Sequence, residues 1–230
     1  MRKRVVIKFG GASLSNGKKI REAAEKVINL PYEEIVIVVS AMGDTTNKLI
    51  ETISQIGEID DKDYAEILSM GERISARFFS FALKFLGKKS IFLEPSQDNW
   101  PIITDSNFGE AKPLMNVTKY QIREKILPLL DKKIIPIISG FIAINQEGII
   151  TTLGRGGSDY TATIIGSAIK ADEVWIWTDV DGLMTADPKI VPCAKTLNEL
   201  SFLEAIEMAV FGAKYMHPKA LEPAMEEDIP

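Results

Sequence analysis

The sequence predicts an α/β fold organised around a mainly parallel β-sheet. Residues 34–40 and 134–139 are almost continuously apolar over the length of a strand, which is typical of parallel strands buried on both faces. Segments with the helical spacing of apolar residues alternate with such strands along the whole chain. This alternation favours parallel strands joined by right-handed helical crossovers.

The first half of the chain opens with a strand, a glycine turn and a helix. Predicted strands cover residues 4–9, 34–40 and 90–93. Predicted helices cover residues 18–30, 47–56 and 64–86, and the last pattern is interrupted at residues 69–73. Turn-forming residues are frequent over 95–113, which indicates an irregular excursion or a small hairpin.

The second half continues the alternation. Predicted helices cover residues 119–130, 157–169, 201–211 and 218–227, and predicted strands cover 134–139 and 173–178. Residues 141–144 and 149–152 flank a polar turn, so we expect a hairpin that leads the chain into a glycine-rich loop. No repeat, low-complexity tract or linker divides the sequence, and we expect a single domain over residues 1–230.

The composition is that of a globular protein and excludes several classes of function. With 230 residues, of which 46% are hydrophobic and 26% charged, the chain can bury a sizeable core. Its net charge of −5 argues against nucleic acid as the main partner, because a phosphate-backbone binder usually carries a basic face. The first apolar run covers only residues 5–9, too short for a signal peptide or membrane span, so we expect a cytoplasmic protein without a membrane partner. Cys193 is the single cysteine, which excludes an intramolecular disulfide.

The glycine-rich segment 154–159 (GRGGSD) leads directly into a predicted helix. Its glycines let the backbone turn sharply, and the helix start points unpaired N–H groups, at the positive end of the helix dipole, toward any ligand in front. Arg155 adds a planar fork suited to a carboxylate or phosphate, while Ser158 and Asp159 can cap the helix or face the ligand. The segment predicts an anion site, with a turn that only caps the helix as the alternative.

Five loops with functional residue types follow predicted strands, and in open α/β sheets ligands bind beyond the carboxyl ends of the strands. These loops contain Lys8 with Gly10 and Gly11, residues 40–46, Ser139 with Gly140, residues 154–159 and residues 178–187. Glycine-rich turns beside lysine and arginine suit a polyphosphate, which needs many N–H donors and a few cations.

Other phosphate-binding and catalytic motifs do not fit. The nearest Walker-type candidate, residues 11–19, has one residue too many between its glycines and no Ser or Thr after Lys18. The dinucleotide pattern and the protein-kinase signatures are also missing. Because His217 is the single histidine and Cys193 the single cysteine, a nucleophilic triad and a zinc site have little support.

Seven motifs in order along the chain resemble those of the aspartate kinases of the amino-acid kinase superfamily. They are residues 6–11 (VIKFGG), 40–47 (SAMGDTTN), 71–72 (GE), 103–105 (ITD), 152–161 (TLGRGGSDYT), 178–188 (TDVDGLMTADP) and 212–218 (GAKYMHP). The resemblance implies a three-layer αβα sandwich and transfer of the ATP γ-phosphoryl group to the β-carboxylate of L-aspartate, giving 4-phospho-L-aspartate, the first step toward lysine, threonine and methionine. A carboxylate acceptor is ionised near neutral pH, so the scarcity of histidine is no obstacle.

The resemblance also implies residue roles. Lys8 and Lys214 would flank the transferred phosphoryl group, and Asp159 would orient the lysines or the metal-bound phosphates. Arg155 would bind the α-carboxylate of aspartate and Glu72 its ammonium group. The other acceptor-binding residues would be Ser40, Thr45 and Ser158. The nucleotide-binding residues would be Gly10, Gly11, Thr178, Asp179, Asp181, Met184, Asp187 and Lys189.

The resemblance also implies which part of the domain binds each substrate and which partners the chain has. Residues from about 1 to 150 would bind the acceptor and residues from about 151 to 230 the nucleotide. Mg²⁺ is expected to arrive with ATP and to be carried mainly by its phosphates, and a homodimer is expected. Ala12 and Met184 depart from the family, which commonly has Thr and Tyr there. The ACT domains with which the family senses lysine or threonine have no counterpart in the sequence, so feedback regulation in cis is not expected. The sequence is then either part of a longer chain or a stand-alone kinase module.

Two alternatives remain at the level of sequence. A sister kinase could act on another carboxylate, a carbamate or UMP, and Arg155 with Glu72 favours an amino acid over these acceptors. A non-catalytic nucleotide-binding or regulatory subunit is the second alternative. Retention of Lys8, Asp159 and Lys214 favours catalysis, because a binding module does not need all three.

Overall fold

The computed structural model describes residues 3–178, 182–186, 190–210 and 216–230. The described strands are β1 Arg4–Phe9, β2 Glu34–Val39, β3 Ser90–Leu93, β4 Ile103–Thr104, β5 Ile135–Ser139, β6 Ile142–Asn145, β7 Ile150–Thr152 and β8 Glu173–Trp177. The central sheet has the order β3-β5-β2-β1-β8, and each neighbouring pair in it is parallel. The predicted parallel sheet is confirmed.

The described helices are α1 Gly17–Ile28, α2 Thr45–Ile56, α3 Asp61–Phe85, α4 Met115–Asp131, α5 Gly157–Ile169, α6 Phe202–Val210 and α7 Glu222–Glu226. Helices α1 and α3 pack on one face of the central sheet, and α4 and α5 pack on the other. This arrangement is the predicted three-layer αβα sandwich. None of the helices in the described ranges is long and apolar enough to cross a membrane.

Strand β1 divides the core into two layers. Its Val5, Ile7 and Phe9 side chains lie with α1 and α3, whereas Val6 lies with α4 and α5. All four side chains are completely buried. Strands with both faces covered need apolar residues at every position, which explains their continuous apolar runs in the sequence.

The predicted interruption at residues 69–73 of helix α3 is wrong. The helix is continuous over Asp61–Phe85. Ser69, Gly71 and Glu72 lie on its buried face, and a Cβ on Gly71 would stand 2.7 Å from the Ala41 side chain. The small and polar residues that resemble a break therefore allow close packing of α3 against the loop after β2.

A separate small sheet, of order β4-β6-β7, was not predicted. Its β6–β7 pair is the predicted antiparallel hairpin, and β4 comes from the irregular segment 95–113. The hairpin leads directly into the glycine-rich loop, as expected. The predicted helix over 218–227 is instead a 3₁₀ turn, Pro218–Ala220, followed by α7. Pro223, near the start of α7, has no N–H with which to continue a preceding helix.

Candidate active site

The loops that follow β1 and β2 are joined at the carboxyl end of the sheet. The Gly43 N–H donates to the Gly11 carbonyl over 2.9 Å. A Cβ on Gly11 would stand 2.7 Å from the Ala41 carbonyl oxygen, so glycine is required for this approach. Two of the loops predicted to carry function therefore form one continuous rim.

Lys8, near the end of β1, reaches Asp159 in the first turn of α5. The Lys8 Nζ and Asp159 Oδ1 atoms are 2.8 Å apart, and the side chains are 12% and 13% exposed. Gly10 borders this pair, since a Cβ there would stand 3.6 Å from Lys8 Nζ. The Gly10 N–H donates to the Trp177 carbonyl over 3.0 Å, so this expected nucleotide donor is engaged in joining β1 to β8.

Glu72 projects from α3 beneath the loop after β2. Its Oε1 accepts the Ala41 N–H over 3.0 Å, and its Oε2 is buried without a hydrogen-bond partner among the described residues. Burial raises the pKa of Glu72 to about 7, against the lowering effect of backbone N–H groups. A buried carboxylate oxygen without a partner is costly, and a cationic ligand group would satisfy it.

Ser40 and Thr45 lie at the two ends of the same loop. The Ser40 N–H donates to the Phe9 carbonyl over 3.1 Å, which fixes the loop start beside β1. The Thr45 hydroxyl donates to the Met42 carbonyl over 2.6 Å at the start of α2, and its oxygen can still accept from a ligand. Glu72 and this loop therefore lie together at the edge of the sheet, and their role in binding the acceptor stays a prediction.

The glycine-rich loop bends through two left-handed residues, Gly154 and Gly156, with φ of 67° and 71°. Between them Arg155 is exposed, and no described residue holds its guanidinium in a hydrogen bond or ion pair. Ser158 is buried in the first turn of α5, and a Cβ on Gly140 would stand 2.9 Å from its Oγ. The loop therefore exposes Arg155 at its tip and packs Ser158 against the end of β5.

Three residues near this loop were not predicted as site residues. Lys219 Nζ donates to the Leu153 carbonyl over 2.7 Å, directly before the glycine-rich loop. A Cβ on Gly156 would stand 2.7 Å from the His217 Cβ, so this histidine packs against the loop. Ser139 Oγ, at the end of β5, is buried without a hydrogen-bond partner in the described part of the chain. Two of them had a signal in the sequence, since Ser139 lies at a strand end and His217 belongs to the motif at residues 212–218.

The described ranges contain only part of the predicted nucleotide site. Thr178 is exposed directly after β8, and Met184 forms an isolated antiparallel bridge with Thr196. The remaining predicted residues Asp179, Asp181, Asp187, Lys189 and Lys214 lie outside the described residues. Among the described residues there is no group of three His, Cys, Asp or Glu side chains that could hold a metal ion by themselves.

These side chains lie at one edge of the sheet. Their charges suit a ligand that carries both anionic groups and a cationic group. Lys8 and Arg155 supply positive charge, and Glu72 supplies a carboxylate for a cationic group. A pair of cations and oriented N–H groups can stabilise a phosphoryl group in transfer. The arrangement fits transfer to an acceptor that is already ionised.

The chain matches the model of the amino acid kinase family over residues 3–230. It is 40% identical over 231 residues to an aspartokinase of Rickettsia prowazekii and 38% identical over 230 residues to one of Mycolicibacterium smegmatis. The alignments cover 98% of this chain but 50% and 53% of the two relatives. The chain therefore spans about half the length of these relatives.

Solved structures share the architecture. The structure of E. coli aspartokinase III in complex with aspartate and ADP has a TM-score of 0.89 at 29% identity, over 99% of this chain and 60% of that one. Aspartate kinase from Synechocystis has a TM-score of 0.82 at 33% identity, over 99% of this chain and 37% of that one. Uridylate kinase from Archaeoglobus fulgidus, with a TM-score of 0.67 at 21% identity over 100% of this chain and 88% of that one, shares the fold alone. From its parallel αβα sandwich and the match over residues 3–230, the chain belongs to the amino acid kinase family.

Proposed function

We propose that the chain is an aspartate kinase module, which transfers the γ-phosphoryl group of ATP to the β-carboxylate of L-aspartate. The observation that carries this proposal is the buried Glu72 Oε2, which has no partner among the described residues. Glu72 lies beneath the loop after β2, which is joined to the loop after β1, the strand that holds Lys8. The ammonium group of an amino acid supplies a partner of the right charge. The aspartokinase relatives support aspartate as that amino acid.

Recognition of the acceptor would use groups of opposite charge. Glu72 would accept from the ammonium group, and Ser40 and Thr45 would line the same pocket. Arg155 would bind the α-carboxylate through two parallel N–H bonds. UMP has no ammonium group to pair with Glu72, which favours an amino acid over a nucleotide acceptor.

The transfer itself requires positioning and charge neutralisation rather than a base. An oxygen of the β-carboxylate forms a bond to the γ-phosphorus, while the bond from that phosphorus to the β,γ-bridging oxygen breaks and ADP leaves. No proton moves, because the carboxylate is already ionised. Lys8 would neutralise the charge on the transferred group, and Asp159 would keep the Lys8 ammonium aimed at it. We assign Lys214 as the second cation from the resemblance.

We assign residues from about 1 to 150 to the acceptor and from about 151 to 230 to the nucleotide, with Gly11, Thr178 and Met184 beside ATP. Asp159 fits a Mg²⁺ ion that arrives on the phosphates, because Mg²⁺ is commonly held by one or two carboxylates and phosphate oxygens. Bound in that way, Mg²⁺ supplies charge neutralisation on the transferred phosphate.

The proposal is tested by measuring ADP release from ATP and Mg²⁺ with aspartate, glutamate or UMP as the acceptor. We expect aspartate alone to stimulate release and Lys8→Ala to abolish it. Lys18→Ala is the matched control, because Lys18 is 87% exposed and its ammonium faces Glu22 along α1. Stimulation by glutamate or UMP would identify a sister kinase, and ATP binding without stimulation would identify a nucleotide-binding subunit.

A further inference from the structure

Three buried side chains in the layer between α3 and the central sheet have an oxygen without a hydrogen-bond partner among the described residues. These oxygens are Glu72 Oε2, Ser75 Oγ and Ser139 Oγ. Glu72 is 4% exposed, and both serines are completely buried. Burial of a hydroxyl or a carboxylate without a partner is costly, so most such groups in native proteins have one. Three of them in one layer point to a common partner.

Ser139, at the end of β5, faces α3. Ile137 of the same strand packs in the part of the core next to α1 and α3, and side chains two positions apart on a strand point to the same face. Ser139 is also paired with Val39 of β2, which lies in that same part of the core. Two positions after Val39, the Ala41 N–H donates to Glu72 Oε1. Ser139 therefore ends its strand beside the backbone that holds Glu72.

Ser75 lies on α3, three residues after Glu72 and on the same buried face. A buried serine in a helix commonly donates to a carbonyl three or four residues earlier, as Ser69 does to the Glu66 carbonyl over 2.7 Å. Ser75 makes no such bond with any described residue. Its hydroxyl can therefore donate to a group that lies between the helix and the sheet.

We propose that Ser75 and Ser139 are positioning residues, which hold the Glu72 carboxylate through one buried water that the three side chains share. No hydrogen bond joins these three oxygens directly in the described chain, so each of them needs another partner. A buried water typically makes about three hydrogen bonds to groups that are otherwise unsatisfied. Both hydroxyls would donate to the water, and the water would donate to Glu72 Oε2. A carboxylate oxygen accepts more than one hydrogen bond, so Oε2 could still accept from a ligand.

This network would favour the ionised form of Glu72. Burial is the largest influence on the pKa of Glu72 and raises it, whereas the N–H groups of Ala41 and of Glu72 itself lower it. Hydrogen bonds donated toward the carboxylate act in the same direction as these N–H groups. The two serines would thus set the pH above which Glu72 can pair with an ammonium group. That consequence rests on the proposed function, whereas the hold on the carboxylate does not.

The charged side chains on the elements around Glu72 are either paired with one another or exposed. The paired ones are Lys8 with Asp159, and Arg73 with Glu66 and Glu94. The exposed ones are Asp44, Lys48 and Glu51, at the start of α2 and within it. Serine substitutions change none of these charges, so a shift of the pKa of Glu72 in such variants can be assigned to the lost hydroxyl.

Infrared spectroscopy of the ligand-free chain tests the network without kinase turnover. The protonated Glu72 carboxyl group has a C=O band that disappears when the group ionises, and subtraction of the Glu72→Gln spectrum assigns this band. We expect the pH midpoint of the band to rise by about one unit in Ser75→Ala and in Ser139→Ala, because each substitution removes a donor from the network. Ser139→Thr keeps a hydroxyl and should keep the midpoint of the unmodified chain.

Ser167→Ala is the matched control for these substitutions. Ser167 is also completely buried, and its Oγ also has no partner among the described residues, but it lies on α5, on the other face of the sheet. Ser167→Ala should leave the midpoint of the Glu72 band unchanged. An unchanged midpoint in Ser75→Ala or in Ser139→Ala, or an equal rise in Ser167→Ala, would overturn the proposal.

The pH profile of kcat/KM for aspartate tests the consequence for the acceptor. We expect the rise of kcat/KM to move to higher pH by the same shift in Ser75→Ala and Ser139→Ala, with kcat nearly unchanged at high pH. Ser139→Thr should restore the profile of the unmodified chain. An infrared midpoint that moves without the kinetic profile would support the network and refute the proposed pairing of Glu72 with the acceptor.

Discussion

Lys8 at the end of β1 and Asp159 at the start of α5 form a largely buried ion pair with 2.8 Å between Nζ and Oδ1. The two residues are far apart in the sequence, and the packing of α5 against β1 brings them together. Asp159 lies at the positive end of the helix dipole, which stabilises its carboxylate. The pair therefore holds a fixed cation at the carboxyl end of the sheet before any ligand binds.

Replacing Lys8 by methionine tests the role of that cation in transfer. Lys8→Met keeps most of the side-chain volume but removes the charge, and we expect kcat to fall by about 10²–10³-fold. The KM for aspartate should change little, because Glu72 and Arg155 are the residues proposed to bind the acceptor. Steady-state kinetics measures both quantities, with Lys18→Met as the control. A variant with near-normal kcat would remove Lys8 from the mechanism.

The raised pKa of Glu72 predicts a pH dependence of acceptor binding. Glu72 must be ionised to pair with the ammonium group, so kcat/KM for aspartate should rise as the pH passes through about 7. In Glu72→Gln this rise should be absent and kcat/KM should be low throughout. A pH profile of kcat/KM provides the measurement. An unchanged rise in Glu72→Gln would assign the titration to another group.

The raised pKa of Glu72 also predicts that the free energy of unfolding of the ligand-free chain depends on pH. The pKa of Glu72 is about 7 in the folded chain against an ordinary 4.5, so the folded state binds the extra proton between these values. Its contribution of about 3 kcal/mol to the free energy of unfolding is full below pH 4.5 and is lost as the pH rises through about 7. Denaturant titrations of the unmodified chain and of Glu72→Gln measure this loss. The same dependence of the free energy of unfolding on pH in both proteins would contradict the prediction.

A pair of glycine substitutions separates backbone strain from packing at the glycine-rich loop. Gly156 has φ of 71°, and a Cβ there would stand 2.7 Å from the His217 Cβ. Gly148 has φ of 80°, and a Cβ there would meet nothing within 4 Å. Gly148→Ala should therefore cost only about 1–2 kcal/mol of stability, the cost of the left-handed conformation. Gly156→Ala should cost more and should raise the KM for aspartate by displacing Arg155. Equal effects of the two substitutions would show that the His217 contact is unimportant.

Much of the fold could be predicted because it is encoded in local patterns. The buried runs of β2 and β5 and the helix after Gly156 are visible within a few residues. The break predicted in α3 was wrong because the reason for Gly71 is a contact with Ala41, in another element. Periodicity along one helix contains no information about that neighbour.

The candidate site was only partly accessible to reasoning from residue types. Lys8 and the glycine-rich loop follow from their positions at strand ends, whereas Glu72 lies inside a helix and was found through the resemblance alone. Lys219 was missed because it reaches Leu153 across 66 positions of sequence, and a lysine beside a proline resembles any surface residue. Contacts of this kind become visible only in the folded chain.

Lys219 is predicted to position the glycine-rich loop. Its Nζ donates to the Leu153 carbonyl over 2.7 Å, and burial lowers its pKa. Lys219→Met should raise the KM for aspartate more than it lowers kcat, because the loop carries Arg155, and Lys219→Arg should restore part of the loss. Lys119→Met is the control, because Lys119 pairs only with Glu226 and Glu227 among the described residues, at the end of α7. Equal effects of Lys219→Met and Lys119→Met on KM would reduce Lys219 to a structural contact.

Trapping with hydroxylamine identifies the carboxylate that receives the phosphoryl group, which we propose is the β-carboxylate of aspartate. An acyl phosphate reacts with hydroxylamine to give a hydroxamate, which mass spectrometry can assign to the α- or β-carboxyl group. We expect aspartate β-hydroxamate that depends on ATP and Mg²⁺ and is strongly reduced in Lys8→Met. ADP release without hydroxamate, or hydroxamate from another acceptor in place of aspartate, would contradict it.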